Sequence, residues 1–184
     1  MKFSNWVALF SQTGTEIVEL SKAIGREPDV VLTNSYAYNN KVNPNLSDKA
    51  QVICKDGAKT LDVLDRVAKD PDTLITLNGW LKIVPPAKCA KYNIYNGHPG
   101  LITKYPELKG KDPQERTWKN IASYARMGSV VHRVVAEVDD GEVVVEKSIG
   151  QRDILSIHDT YRALRKTSFD AWIEFLKEHL YNKV

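Results

Sequence analysis

Cysteine is scarce: Cys54 and Cys89 are the only two in 184 residues. Two thiols without metal-ligand spacing exclude a disulfide-stapled scaffold and a structural zinc module, and they fit a reducing compartment. Charge of one sign is also missing. The 26 Lys and Arg stand against 23 Asp and Glu, for a net +3. No block of like charge is long enough for a nucleic-acid arm or a membrane-binding patch. No apolar stretch approaches the roughly 20 residues needed to cross a bilayer, and no apolar signal region follows Lys2. Internal repeats, low-complexity tracts and interdomain linkers are absent too. The expectation is a soluble cytoplasmic protein with neither nucleic acid nor membrane as partner. What is there is 42% apolar residues with four Trp, enough for one core, so residues 1–184 are expected to form a single domain.

Short apolar runs alternate with helical patterns. Trp6 to Phe10 reads as a buried strand that stops at Ser11-Gln12-Thr13-Gly14. Ile17, Leu20 and Ile24 then recur at helical spacing, Thr13 and Glu16 have the spacing of a capping box, and Gly25 closes the helix. Val30 to Leu32 is a second strand. A polar loop from Asn34 to Asp48 leads to a third, Val52 to Cys54. Leu61, Leu64 and Ala68 mark a helix before the strand Leu74 to Leu77, and a short segment after Pro85-Pro86 leads to the strand Asn93 to Tyr95. The stretch from Gln114 to Met127 predicts a helix. Val130, Val131, Val134 and Val135 then pair with Val143 to Val145 as a hairpin around an Asp139-Asp140-Gly141 turn, and a last helix covers Ser156 to Tyr181. Strands separated by helices imply a three-layer α/β fold: an open, mostly parallel twisted sheet, Rossmann-like, with helices on both faces and an antiparallel hairpin at one edge. Such sheets bind ligands at the carboxyl ends of their strands, where Ser11–Thr15, Asn78–Lys82 and Asn96–Pro99 lie.

Chemistry concentrates in Asn96-Gly97-His98-Pro99. An amide and an imidazole two residues apart can divide the work of acyl transfer, Asn96 donating to a developing oxyanion and His98 shuttling a proton, while Gly97 permits an unusual backbone angle. The same residues suit a plain loop, with Asn96 capping a turn, and spacing alone does not choose. The segment resembles the Asn-x-His-Pro signature of the glycinamide ribonucleotide transformylases. The likeness continues in order along most of the chain. Asn78-Gly79-Trp80-Leu81-Lys82-Ile83-Val84-Pro85 is similar to that family's folate-binding Ala-Gly-Phe-Met-Arg-Ile-Leu. Asn96 to Leu101 with Lys104-Tyr105-Pro106 is similar to the signature and its continuation. Gly128-Ser129-Val130-Val131-His132 through Val138-Asp139-Asp140-Gly141 is similar to Gly-x-x-Val-His through Leu-Asp-Gly-Gly.

The resemblance implies formyl transfer from 10-formyltetrahydrofolate to a primary amine, by direct attack and without a metal. Glycinamide ribonucleotide, as in purine biosynthesis, is the leading acceptor. It implies catalytic roles for Asn96 as oxyanion donor, His98 as proton carrier and Asp139 as the carboxylate that orients His98, although Asp-Asp-Gly is by itself ordinary turn chemistry. It assigns folate to Trp80, Leu81, Lys82, Ile83, Val138 and Asp140. It assigns the acceptor, through a phosphate at a helix N-terminus, to Ser11, Thr13, Gly14, Thr15 and Glu16, with Arg165 on the late helix. Glu16 stands where the family has Asn. Its carboxylate either repels phosphate or turns back into the capping box. His132 reads as a support residue in a strand. Gly100 for Ser, Ile102-Thr103 for Leu-Pro, Asp140 for Gly and the Lys109 to Pro113 loop depart from the family on the acceptor side. Another phosphorylated amine such as an amino-sugar nucleotide, a formyltetrahydrofolate hydrolase, and a non-catalytic folate- or nucleotide-binding module are the alternatives. The length argues against the two-domain methionyl-tRNA formyltransferases.

Overall fold

The computed structural model describes residues 2–34, 42–46, 51–54 and 59–181, with the main chain alone at 51–54. It divides into two compact units, residues 1–96 with 176–184, and residues 97–175.

In the first unit the apolar runs become strands β1 (Asn5–Phe10), β2 (Val30–Thr33), β3 (Gln51–Cys54), β4 (Thr73–Leu77) and β5 (Asn93–His98). They pair in parallel in the order β3-β2-β1-β4-β5. Every residue of β4 and all but the first of β1 are buried, as a sheet covered on both faces requires. Inside it, Trp6 Nε1 donates to Thr76 Oγ1 at 2.9 Å, so the indole's polar atom is satisfied in the core. The chain winds outward from β1 to β3 and then returns to β4. The right-handed rule for such crossovers assigns α1 (Thr15–Ile24) to one face and α2 (Lys59–Asp62), α3 (Leu64–Val67) and α4 (Pro86–Lys91) to the other. The reversal lies between β1 and β4, where the loops after both strands meet: Asn78 N–H donates to Leu9 O at 2.8 Å and Ser11 N–H to Gly79 O at 3.1 Å. α1 buries Ile17, Val18 and Leu20, and ends at Gly25, whose φ of 71° is the left-handed geometry that favours glycine.

The second unit holds the end of β5, α5 (Pro113–Lys119), the antiparallel pair β6 (Arg126–Arg133) and β7 (Val143–Gly150), and most of α6 (Ile157–His179). β7 stands last in the strand order, so the antiparallel pair closes one edge as expected. Ile102, Leu108, Tyr124 and Val130 form a small core with Tyr105 packed against it, its ring stacked on Tyr124 at 3.9 Å.

Four local expectations are corrected. The helix expected from Gln114 to Met127 stops at Lys119. Only a short 3-10 turn at Ile121–Ser123 follows, and β6 begins at Arg126. Val134 and Val135 lie outside the strands, so the hairpin is joined by a nine-residue loop, 134–142, rather than a tight Asp-Gly turn. The helix expected at Leu61 to Ala68 is broken into α2 and α3, and α4 occupies the segment read only as a connection. Of the Asn34 to Asp48 loop, 35–41 and 47–48 lie outside the described residues, while Pro44–Leu46 forms a 3-10 turn.

Candidate active site

Asn96 and His98 sit two residues apart at the end of β5, so strand alternation sends both side chains to the same face. Gly97 between them has no unusual backbone angle. Its need is space: a Cβ there would come within 2.9 Å of Trp172 Cε2 on α6. Gly100 has the same reason, since a Cβ would lie 2.9 Å from His98 Nε2. The imidazole thus packs directly against main chain.

His98 is 4% exposed and has an oxygen at each ring nitrogen. Nδ1 lies 3.2 Å from Asp139 Oδ2, and Nε2 lies 2.9 Å from the Leu108 carbonyl oxygen. Asp139 sits in the 134–142 loop at φ 54°, a left-handed angle rare outside glycine that turns its carboxylate inward. Its Oδ2 also accepts the Gly110 N–H at 2.8 Å, and its Oδ1 lies 3.4 Å from His132 Nε2. His132 is itself buried, and its Nδ1 lies 2.9 Å from Arg133 O. A register shift between Val131 and His132 on β6 re-aims that side chain. Asp139 is therefore shared by two imidazoles, and His132 lies in a strand as expected.

Burial pushes the His98 pKa below its ordinary 6.5, outweighing the Asp139 charge and the Leu108 carbonyl, which both favour the protonated ring. Burial would raise Asp139, but the His132 hydrogen bond, the nearby His98 and the Gly110 N–H together hold it below the usual carboxylate value. At neutral pH the pair is a neutral imidazole beside a carboxylate. Both shifts are downward, so the stability they contribute is complete above pH 6.5 for His98 and above 3.8 for Asp139. Each contribution is lost as pH falls through the folded value. Below pH 6.5 the wild type is expected to lose stability to urea more steeply than His98→Gln, which has no proton to take up. Parallel pH profiles for the two proteins would contradict the burial of a neutral ring.

The residues expected to hold folate divide. Leu81 and Ile83 are 66% and 71% exposed, apolar surface that no described neighbour covers, and Lys82 is exposed between them. Trp80 is buried, its Nε1 without a partner among the described residues. In the second unit Val138 is exposed and Asp140 pairs with Lys109.

At the reversal, Ser11 Oγ accepts the Leu81 N–H at 3.0 Å and Thr13 Oγ1 accepts the Thr15 N–H at 3.2 Å. Gly14 adopts φ 69°, and Thr15 Oγ1 accepts from Asn43 Nδ2 at 3.4 Å. The capping box does not form. Glu16 instead reaches to the end of β4, where its Oε2 accepts from Asn78 Nδ2 at 3.2 Å. Asn78 Oδ1 in turn accepts from Thr76 Oγ1 at 2.7 Å. The carboxylate therefore stays beside the reversal. Arg165 is an exposed residue of α6. Among the described residues no group of three or more His, Cys, Asp and Glu side chains could hold a metal ion, and no helix is long and apolar enough to cross a membrane.

Sequence reasoning missed two main-chain partners, the Leu108 carbonyl and the Gly110 N–H. Gly110 belongs to the Lys109 to Pro113 loop, whose departure from the family pattern had suggested only a changed acceptor side, and Leu108 ends the 3-10 turn just before it.

Residues 7–176 match the formyl transferase family. The chain belongs to that family. Phosphoribosylglycinamide formyltransferase of Dictyostelium discoideum is 33% identical over 85 residues, 41% of this chain and 40% of that protein, so the match spans less than half of that relative. Among solved structures, phosphoribosylglycinamide formyltransferase from Anaplasma phagocytophilum superposes with a TM-score of 0.79 at 20% identity, covering 96% of this chain and 86% of that one. A formyltetrahydrofolate deformylase from Pseudomonas syringae pv. tomato gives 0.72 at 16% identity, covering 96% of this chain and 61% of that one. At such identities the two structures establish the formyl transferase fold, an α/β sheet with helices. The sequence match establishes the family.

Proposed function

We propose that this chain works as one formyltransferase domain in the cytoplasm, moving a formyl group from 10-formyltetrahydrofolate to the primary amine of glycinamide ribonucleotide. The observation that carries the reading is the buried His98–Asp139 pair at the end of β5, two residues from Asn96. When bound, the folate supplies a formyl carbon attached to a nitrogen leaving group. The exposed Leu81 and Ile83 suit a flat apolar ring; folate contacts are also assigned to Trp80 and Lys82 and, in the second unit, to Val138 and Asp140. The amine lone pair forms the new C–N bond, and negative charge gathers on the formyl oxygen, where the Asn96 amide donates a hydrogen bond. His98, held neutral by burial, accepts the proton that the amine must lose and returns it to the folate nitrogen as the old C–N bond breaks. Asp139 fixes the ring with Nδ1–H towards the carboxylate, leaving Nε2 as the base.

The acceptor's phosphate is assigned to the first turn of α1, with Ser11, Thr13, Gly14, Thr15 and Arg165. Glu16 is the feature against it, since a carboxylate beside the reversal repels an anion. A second reading, with water as acceptor, draws support from the likeness to the deformylase structure. Donor carrying an isotopically labelled formyl group separates these readings. Label is expected on glycinamide ribonucleotide when that amine is present. Label appearing only as formate would identify a hydrolase, label on an amino-sugar nucleotide alone would replace the acceptor, and no turnover with any of them would leave a binding module.

A further inference from the structure

The contact at His98 Nε2 is unusual for a base. The Asp139 carboxylate beside Nδ1 favours the tautomer with its proton on Nδ1; the neutral ring then carries its lone pair on Nε2, and the oxygen 2.9 Å away belongs to the Leu108 carbonyl, which cannot donate. Two lone pairs face each other until the ring takes a proton, and then the same contact becomes a hydrogen bond. A carbonyl in that position stabilises only the charged ring, which is how a preorganised dipole favours a transition state over a ground state. Left to itself it would turn away, so something must hold it.

Arg116 on α5 does so. Its Nη2 donates to Leu108 O at 3.0 Å and to Lys109 O at 2.7 Å, and its Nη1 donates to Glu107 O. The Nε is buried without a partner among the described residues, so the guanidinium is placed by these three successive carbonyls. The Leu108 side chain is anchored from the other side, buried with Ile102, Tyr124 and Val130. We propose that Arg116 is a positioning residue: its guanidinium fork holds the Leu108 carbonyl against His98 Nε2, so that the ring is stabilised when it takes up the substrate's proton. The proposal rests on His98 being the proton carrier.

The groups facing His98 are Asp139, His132 and Arg116. The Arg116 charge by itself opposes protonation of the ring, but less than the Leu108 hydrogen bond favours it. Removing the side chain is therefore expected to move the His98 titration to lower pH, whereas an effect of charge alone would move it to higher pH. Lysine keeps the charge but cannot span three carbonyls, so Arg116→Lys is expected to titrate at least as low as Arg116→Ala.

The test is an NMR titration of His98 in wild type, Arg116→Ala and Arg116→Lys, together with kcat, KM and thermal unfolding. The titration should fall in both variants, and kcat should drop about ten-fold, the size of one hydrogen bond to a charged group, with KM little changed. Should the alanine variant not fold, Arg116→Lys carries the test alone. An unchanged or raised His98 titration, or wild-type kcat in Arg116→Lys, overturns the proposal. The titration needs no turnover, so it remains decisive even where the assay finds no formyl transfer.

Discussion

Replacing His98 by alanine is expected to lower kcat for formyl transfer by about 100- to 10,000-fold, the range that positioned proton transfer supplies. KM for donor and amine should change little, because the ring acts on the proton rather than on binding. The reason lies in the ring's surroundings. Burial keeps it neutral and able to accept, while Asp139 and the Leu108 carbonyl satisfy both nitrogens only after it has done so. Steady-state kinetics check the result, with circular dichroism to confirm that the variant is folded. A His98→Ala protein that turns over at the wild-type rate would remove His98 from the chemistry.

Asn96→Ala should act by a different route and nearly as strongly. Loss of one oxyanion donor costs about 100- to 1,000-fold in kcat, and here it should leave the pH profile unchanged, since the amide has no proton to gain or lose at these pH values. His98 variants, in contrast, should lose the acidic limb of the profile. Kinetics over pH 5 to 9 distinguish the two, and a pH shift in Asn96→Ala would mean that the amide acts through the imidazole.

How far these features could be read in the sequence depended on what each is made of. β1, β4 and α1 were legible because burial writes itself as apolar runs and helical spacing, as in Trp6 to Phe10 and in Ile17, Leu20 and Ile24. α4 escaped because Pro85-Pro86 looks like a breaker, whereas Pro86 opens the helix at a position where no N–H is needed. The Gln114 to Met127 pattern failed for a tertiary reason: Tyr124 leaves the helical course to stack on Tyr105 and fill the core beside Leu108. Val134 and Val135 have strand chemistry, yet the loop containing them must carry Asp139 to His98. A tight turn would have left the carboxylate at the tip of the hairpin. The pairing of His98 with Asp139 came only from the resemblance, because no spacing rule joins residues so far apart. The Leu108 carbonyl and the Gly110 N–H belong to the main chain, which every residue carries, so no side-chain pattern could announce them. Arg116 drew no notice in the sequence, because the three carbonyls it holds belong to the main chain.

Asp139 and His98 are held here to act as one proton-handling unit. The most direct test is a double-mutant cycle on kcat/KM with His98→Ala, Asp139→Asn and both together. If the carboxylate works through the imidazole, the double variant should be no slower than His98→Ala alone. Losses that multiply, with the double variant slower by the product of the two single effects, would show that the residues act independently and contradict the account.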